Sequence, residues 1–239
     1  MISTHSKAAC AHCHIKTICM PQEMSKSDLL RIEAVISRRL KIKKGTTLFY
    51  WGDPFASLYT IRVGVFKTCV TSQDGRIQIT GFQMAGDILG LDGIVSQHHT
   101  CDAVALEDAE VCVVPFHLLE ALSREMITLQ HHVYRIMSQK IVQDQSVMLL
   151  LGSMRADERV ATFLSTLVQR LHARGFSRSA LVLRMTREEI GSYLGLKLET
   201  VSRTLSKLAE DRIIAIHRRQ IDIINPDGLQ RIVNAAACR

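Results

Sequence analysis

Between residues 45 and 86 glycine recurs at the spacing of tight turns between short strands. Gly45, Gly52, Gly64, Gly75 and Gly86 stand 7, 12, 11 and 11 residues apart. From about Leu40 to Val114 the intervals hold short apolar alternations, which suit strands and leave no room for long helices. This stretch is therefore expected to form an antiparallel β sandwich, roll or barrel. Asp74-Gly75 is its best hairpin turn, between strands at Phe66–Thr71 and Ile77–Phe82.

Helical patterns flank the β region. Ser25-Lys-Ser-Asp28 caps a short helix carrying Leu29, Leu30, Ile32, Val35 and Ile36. After Pro115 the period becomes helical and stays so for over thirty residues. Ile127, Gln130, Tyr134, Met137, Ile141, Asp144, Met148 and Leu151 fall at alternating steps of three and four. That is a heptad seam, by which a helix pairs with a copy of itself. A second stripe of Leu122, Met126, Leu129, Val133 and Ile136 is expected to pack on the β region. Asp144 is the odd member of the seam. Either the register places it at a wet edge, or two facing carboxylates keep a dimer marginal and open to a signal.

The last segment begins near Ala156-Asp-Glu-Arg159, with a helix to about Arg174, a stop at Gly175 and a strand at Leu181–Met185. Thr186-Arg-Glu-Glu189 is a capping box that opens a helix with Ile190, Tyr193 and Leu194 inward. Gly195-Leu196 breaks it, and a second helix begins at Glu199 with Val201, Leu205 and Leu208 inward. This is the helix-turn-helix pattern. Glu199, Ser202 and Arg203 share the opposite face, where a recognition helix meets base edges. Arg203 can pair two-pronged with guanine, Glu199 can accept from cytosine N4, and their spacing lets Glu199 hold the Arg203 fork. Ile213–Ile216, His217-Arg-Arg-Gln220 and Ile221–Ile224 read as a two-stranded wing with a basic tip for phosphate. Charge agrees: residues 155–239 hold 15 Lys/Arg against 9 Asp/Glu, which is nearly all of the net +7.

Cys10-Ala-His-Cys13-His-Ile-Lys-Thr-Ile-Cys19 precedes the globular sequence, on a segment too short and polar for a core of its own. Three thiols so close suit metal or cluster ligation. Cys69, Cys101, Cys112 and Cys238 are the candidates for a fourth ligand. Seven cysteines, an odd number, with no signal peptide and no apolar run of membrane-spanning length, point to a soluble cytoplasmic protein whose thiols bind metal or do redox work. Four thiolates serve zinc or an iron–sulfur cluster. Ile15, Ile18, Met20 and Pro21 form an apolar cover that suits the cluster, or simply dock the segment. His12 and His14 could bind metal, but read better as exposed, tag-like histidines. With no Gly-rich phosphate loop and no nucleophile elbow, the chain is not expected to be an enzyme.

Taken together, these residues resemble the cyclic-AMP receptor / fumarate-and-nitrate-reduction regulator family, and specifically its oxygen-sensing branch. The likeness runs through Cys-x2-Cys-x5-Cys, Gln78-Ile-Thr-Gly-Phe82, Gly86-Asp87, Val111-Cys-Val-Val-Pro-Phe116, Asp144-Gln145, Ile190-Gly-x-Tyr-Leu-Gly195 and Glu199-Thr-Val-Ser-Arg203. It implies an α+β fold. Residues 1–24 would be a cluster-binding segment and 25–117 an antiparallel β-roll of the double-stranded β-helix, jelly-roll-like kind. Residues 118–154 would be a dimerisation helix and 155–239 a winged helix-turn-helix.

The resemblance implies an oxygen-labile 4Fe–4S cluster on Cys10, Cys13, Cys19 and Cys112, with zinc the alternative. The cluster would stabilise a homodimer through Ile141, Met148, Met137 and Asp144. The dimer would bind double-stranded DNA at a palindromic TTGAT-like site and control anaerobic-metabolism genes. Leu198, standing where cyclic-AMP-responsive relatives commonly carry arginine, agrees with that site. Lys197, Arg187 and Thr200 join Glu199, Ser202 and Arg203 as DNA-facing residues. Lys197 replaces a common threonine cap and gains a phosphate contact. Thr71–Arg76 and Arg178 are expected to touch RNA polymerase. Gly93–Ala103 lacks the arginine of a cyclic-nucleotide pocket. Cys69, Cys101 and Cys238 are extra. Two rival readings are a regulator responding to a small, cyclic-nucleotide-like molecule and a zinc or thiol redox protein binding DNA nonspecifically.

Overall fold

A computed structural model describes residues 2–5, 10, 13–21 and 24–237, the backbone alone at 2–5, 236 and 237. His12 and Cys238, singled out above, lie outside the described residues. The chain forms two compact units, residues 1–140 and 141–239, and each is taken by itself.

The first unit opens with β1 (Ile2–His5), α1 (Lys16–Cys19) and α2 (Lys26–Val35). The Ser25 hydroxyl caps α2 by accepting from the Asp28 N–H at 3.0 Å. Eight strands then build a roll: β2 (Arg38–Ile42), β3 (Thr47–Phe49), β4 (Ser57–Val63), β5 (Val65–Thr71), β6 (Ile77–Met84), β7 (Ile88–Leu89), β8 (Asp102–Ala105) and β9 (Ala109–Pro115), with α3 (Gly93–Ser96) between β7 and β8. Together with β1 they form two antiparallel sheets, ordered β1-β2-β9-β4-β7 and β3-β8-β5-β6. The expected hairpin joins β5 to β6 through Ser72–Arg76, with Gly75 at φ 80°. Gly64 has a stricter duty, because a Cβ there would stand 2.6 Å from that of Ala109.

Period-2 alternation sends Leu40, Ile42, Ile61, Phe66, Ala103, Val111 and Val113 into the space between the sheets. His99 fills the same interior, stacked on Phe49 with ring centroids 3.7 Å apart. Gly93, at the head of the arginine-free stretch, abuts Phe55 so closely that an added Cβ would stand 2.7 Å from its ring.

The helical run after Pro115 is two helices, α4 (Phe116–Glu125) and α5 (Ile127–Ser153), rather than one. Met126 breaks it in an extended conformation, although no proline or glycine is present. Burial is the cause: Leu122, Met126 and Leu129 all enter one cluster with Ile32 and Ile36 of the α2 region. The expected second stripe thus packs on α2, the cysteine turn and the outer side of β9. The division between the units falls within α5, which is about 40 Å long at 1.5 Å per residue.

The second unit contains α6 (Ala156–His172), β10 (Ala180–Val182), α7 (Arg187–Leu194), α8 (Leu198–Glu210), β11 (Ile214–His217), β12 (Gln220–Ile223) and α9 (Pro226–Ala237). The wing has three strands rather than two, ordered β10-β12-β11. The strand read at Leu181–Met185 is the shorter β10, and it pairs with β12. Val160, Leu164, Ile190, Leu194, Val201 and Leu205 are almost wholly buried and form the core. Arg159 ties helix ends together, donating to the carbonyls of Leu151, Met154 and Leu194 at 2.9 Å each. Those carbonyls lie at or just beyond the ends of α5 and α7, where intrahelical donors run out.

Candidate metal centre and nucleic-acid interface

Strand alternation places Cys112. Ala109, Val111 and Val113 enter the roll interior, so Cys112 faces outward into the cluster of Cys10, Met20, Ile32 and Leu129. Its cross-strand neighbours are Arg39 on β2 and Thr60 on β4. Cys101 points into the roll interior instead, and Cys69 is buried on β5.

A tight turn brings the other three thiols. The Cys13 N–H donates to the Cys10 carbonyl at 3.0 Å and the Lys16 N–H to the Cys13 carbonyl at 3.1 Å, leading into α1, which ends at Cys19. Glu33 of α2 accepts from the Cys10 N–H at 2.9 Å. On α5, His132 Nε2 lies 3.2 Å from the Cys19 carbonyl. Cys10, Cys13, Cys19 and Cys112 line one cavity of ≈ 70 Å³, with Ile15, Met20 and Pro21 of the expected apolar cover. Ile18 is not on its wall. His14 is exposed.

Burial dominates the electrostatics of this cavity and keeps its thiols neutral. Burial first, then Cys112, Glu33 and Cys13, push the Cys10 thiol up to about 12. Burial followed by the three other thiols does the same to Cys19. Burial raises Cys112 as well, against the lowering pull of Arg39. Such thiols keep their protons unless a metal displaces them.

Four thiols serve either of two metal groups. Tetrahedral zinc, with Zn–S near 2.3 Å, needs sulfurs within about 3.8 Å of one another. Among the described residues no three His, Cys, Asp or Glu side chains gather around a single ion position. A 4Fe–4S cluster is likewise held by four cysteine thiolates. Four cysteines around an apolar cavity, with the nearby Glu33 carboxylate turned to the Cys10 N–H, fit that group.

In the second unit the Thr186 side chain accepts from the Glu189 N–H at 3.1 Å, and Glu189 accepts from the Thr186 N–H at 2.7 Å. This capping box sets the start of α7. Gly191 is required for the turn: a Cβ there would lie 2.6 Å from the Leu196 carbonyl oxygen. Gly195 takes φ 62° and lets the chain reverse into α8. Lys197 is the α8 N-cap and makes no side-chain cap bond.

Arg187, Lys197, Glu199 and Arg203 are exposed, and Thr200 and Ser202 are half-buried. Arg187 donates to the Ser202 hydroxyl at 3.2 Å, joining the two helices. Among the described residues Glu199 and Arg203 form no ion pair, so the fork is not held as the spacing suggested. Along α5, Ile141 and Met148 are exposed, while Met137 and Asp144 are half-buried. Asp144 acts on Tyr193, whose phenol burial raises, Arg170 lowers and Asp144 raises further.

Residues 39–125 match the cyclic nucleotide-binding domain and residues 158–232 the Crp-like helix-turn-helix domain. The chain is 38% identical to the transcriptional regulatory protein btr of Bordetella pertussis, over 97% of its own length and 96% of that protein's. The chain belongs to the CRP/FNR family of transcription regulators. Within this family it is 41% identical to the fumarate and nitrate reduction regulatory protein of Escherichia coli (strain K12), over 93% of the chain and 89% of that protein. FixK2 from Bradyrhizobium japonicum shares the CRP/FNR fold at a TM-score of 0.75 and 31% identity, covering 81% of this chain and 96% of that one. These relatives are regulators rather than enzymes, and the helix-turn-helix is a DNA-binding module. Among the described residues no helix is long and apolar enough to cross a membrane.

Sequence reasoning missed Arg39, Glu33 and His132 around the thiols. One signal was present for His132: three residues after Leu129 and four before Ile136, it flanks the apolar stripe.

Proposed function

We propose that this protein is an oxygen-responsive transcription regulator. It holds a 4Fe–4S cluster on Cys10, Cys13, Cys19 and Cys112 and acts as a cytoplasmic homodimer on a palindromic TTGAT-like site to control anaerobic-metabolism genes. The observation that carries the reading is the convergence of four thiols, from a short turn and from β9, on one apolar cavity beside α5. When bound, the cluster supplies an oxygen-labile link among those thiolates. The chain's residues do the rest. Glu33 and His132 hold the two ends of the cysteine turn. Leu129 and Val133 of α5 pack against it.

Once the link is lost, buried thiols regain protons and, among the described residues, the short turn is held only by the Glu33 and His132 hydrogen bonds and its apolar packing. α5 then loses one wall of its packing. Exposed Ile141 and Met148 on the same helix supply the dimer face, and a dimer doubles the contact with a two-fold DNA site. Arg203 and Glu199 read base edges, Lys197 and Arg187 reach the backbone, and Thr71–Arg76 and Arg178 are open to RNA polymerase.

Purification without oxygen, with iron, sulfide and visible absorption read before and after air, tests this. About four irons per chain and a brown colour that bleaches as the dimer dissociates is the expected result. A colourless protein with the same oligomeric state in air and without it overturns the reading.

A further inference from the structure

We propose that His132 is a positioning residue that pins the cysteine turn to α5, with Arg135 fixing its ring; this rests on the cluster reading above. His132 is only 7% exposed, in a run of α5 whose neighbours Leu129 and Val133 enter the apolar cluster. Its Nε2 lies 3.2 Å from the Cys19 carbonyl oxygen, and its Nδ1 lies 2.7 Å from Arg135 Nη2. A carbonyl only accepts and a guanidinium only donates. The ring therefore has a single arrangement, in which Nε2–H donates to Cys19 and Nδ1 accepts from Arg135.

Three consequences follow from that arrangement. His132 lines the cavity of the four thiols, yet with both nitrogens engaged it is no fifth ligand. Cys19 is the last residue of α1, so its carbonyl has no donor within that helix and takes one from α5 instead. Among the described residues this is the only hydrogen bond between the cysteine turn and α5. The bond spans 113 residues of sequence and ends on the backbone of a thiol-bearing residue. Partners of this kind fix the direction of a ligand without touching the metal. Here the same partner sits on the helix that carries Ile141 and Met148, so the orientation of Cys19 and the seat of α5 are held by one ring.

The test compares the full-length wild-type chain with His132→Leu and His132→Gln, purified without oxygen. Glutamine can donate to the Cys19 carbonyl and accept from Arg135; leucine fills the space and does neither. All three are expected to hold iron and sulfide. In air-saturated buffer His132→Leu is expected to bleach on the order of ten-fold faster than wild type. His132→Gln should stay near wild type, and the metal-free proteins should melt alike. Arg135→Met, which frees the ring without emptying its site, should bleach at an intermediate rate and serves if His132→Leu does not fold. Leucine and glutamine variants that bleach equally fast, or a leucine variant as slow as wild type, overturn the proposal. A colourless wild type overturns the cluster reading itself, and this proposal with it.

Discussion

Arg39 stands directly across the β2–β9 pair from Cys112, on the same face of the sheet. Its positive charge pulls the Cys112 thiol down while burial pushes it up. Arg39 is itself shared with Glu110, at 3.7 Å, and Arg62 lies 3.2 Å from the same carboxylate. The cysteine thus sits beside a cation that other residues hold in place. Replacing Arg39 by methionine keeps the apolar stem and removes the charge. Iron transfer from the anaerobic protein to an added chelator is expected to quicken on the order of ten-fold. Arg39→Lys should lie between the two. Equal release from wild type and Arg39→Met would show that the charge serves Glu110 alone.

His99 gives the roll a pH dependence of definite sign. Burial lowers its pKa below the usual 6.5, and Asp92, with Oδ2 3.5 Å from Nδ1, only partly offsets this. The folded chain therefore keeps the ring neutral where the unfolded chain would protonate it. The stability from this residue is complete above about pH 6.5 and falls as pH drops, by at most about 1.4 kcal/mol per unit. Urea unfolding at pH 7.5 and pH 5.5 checks it: wild type should lose more than His99→Gln. Parallel losses would mean that other groups carry the acid sensitivity.

Much of this architecture was legible in the chain, for local reasons. Gly64 and Gly75 mark turns because of what backbone and neighbours demand at those positions. Ser25 and Thr186 announce helix starts through bonds spanning three residues. What escaped depends on partners distant in sequence. The break at Met126 follows from burial against α2, and no residue type around it signals one. β10 is a strand only because β12 pairs with it. Arg39 lies opposite Cys112, and His132 meets Cys19, only once the sheet and helices have formed. Spacing also left the fourth thiol open among Cys69, Cys101, Cys112 and Cys238. The structure separates two of these: Cys101, just before β8, lies in the roll core, and strand alternation on β9 turns Cys112 out towards the cysteine turn.

On the proposed function, Arg203 and Lys197 of the α8 region make two different kinds of DNA contact. Arg203 has no ion-pair partner among the described residues, and its fork is open to a guanine. Arg203→Ala should cost about 1–3 kcal/mol on the palindromic site and relax preference at one base pair. Lys197 stands exposed at the uncapped start of α8, and on the proposed function it contacts phosphate. Lys197→Ala should weaken all sequences alike and reduce the slope of log K against log salt by about one. Titrations of specific and scrambled duplexes at several salt concentrations distinguish the two. Their interchange, with Lys197 altering preference and Arg203 only the slope, would reverse the assignment.

Asp144 has two surroundings to answer to, and each predicts its own readout. On α5 it lies three residues after Ile141 and four before Met148, both more than half exposed. Pairing of that stripe with a second copy brings two carboxylates into the seam. At a wet seam their repulsion is on the order of 1 kcal/mol after screening, worth about five- to ten-fold in dimer affinity. Within its own protomer the same carboxylate raises the phenol of Tyr193, which packs on Phe163 at 5.9 Å. Asp144→Asn should therefore tighten the dimer of the metal-free protein and lower the Tyr193 titration together. Sedimentation read alongside ultraviolet titration of the phenol follows both. If the phenol shifts while the dimer constant stays put, Asp144 belongs to the support of α7, and the marginal dimer must come from elsewhere in the seam.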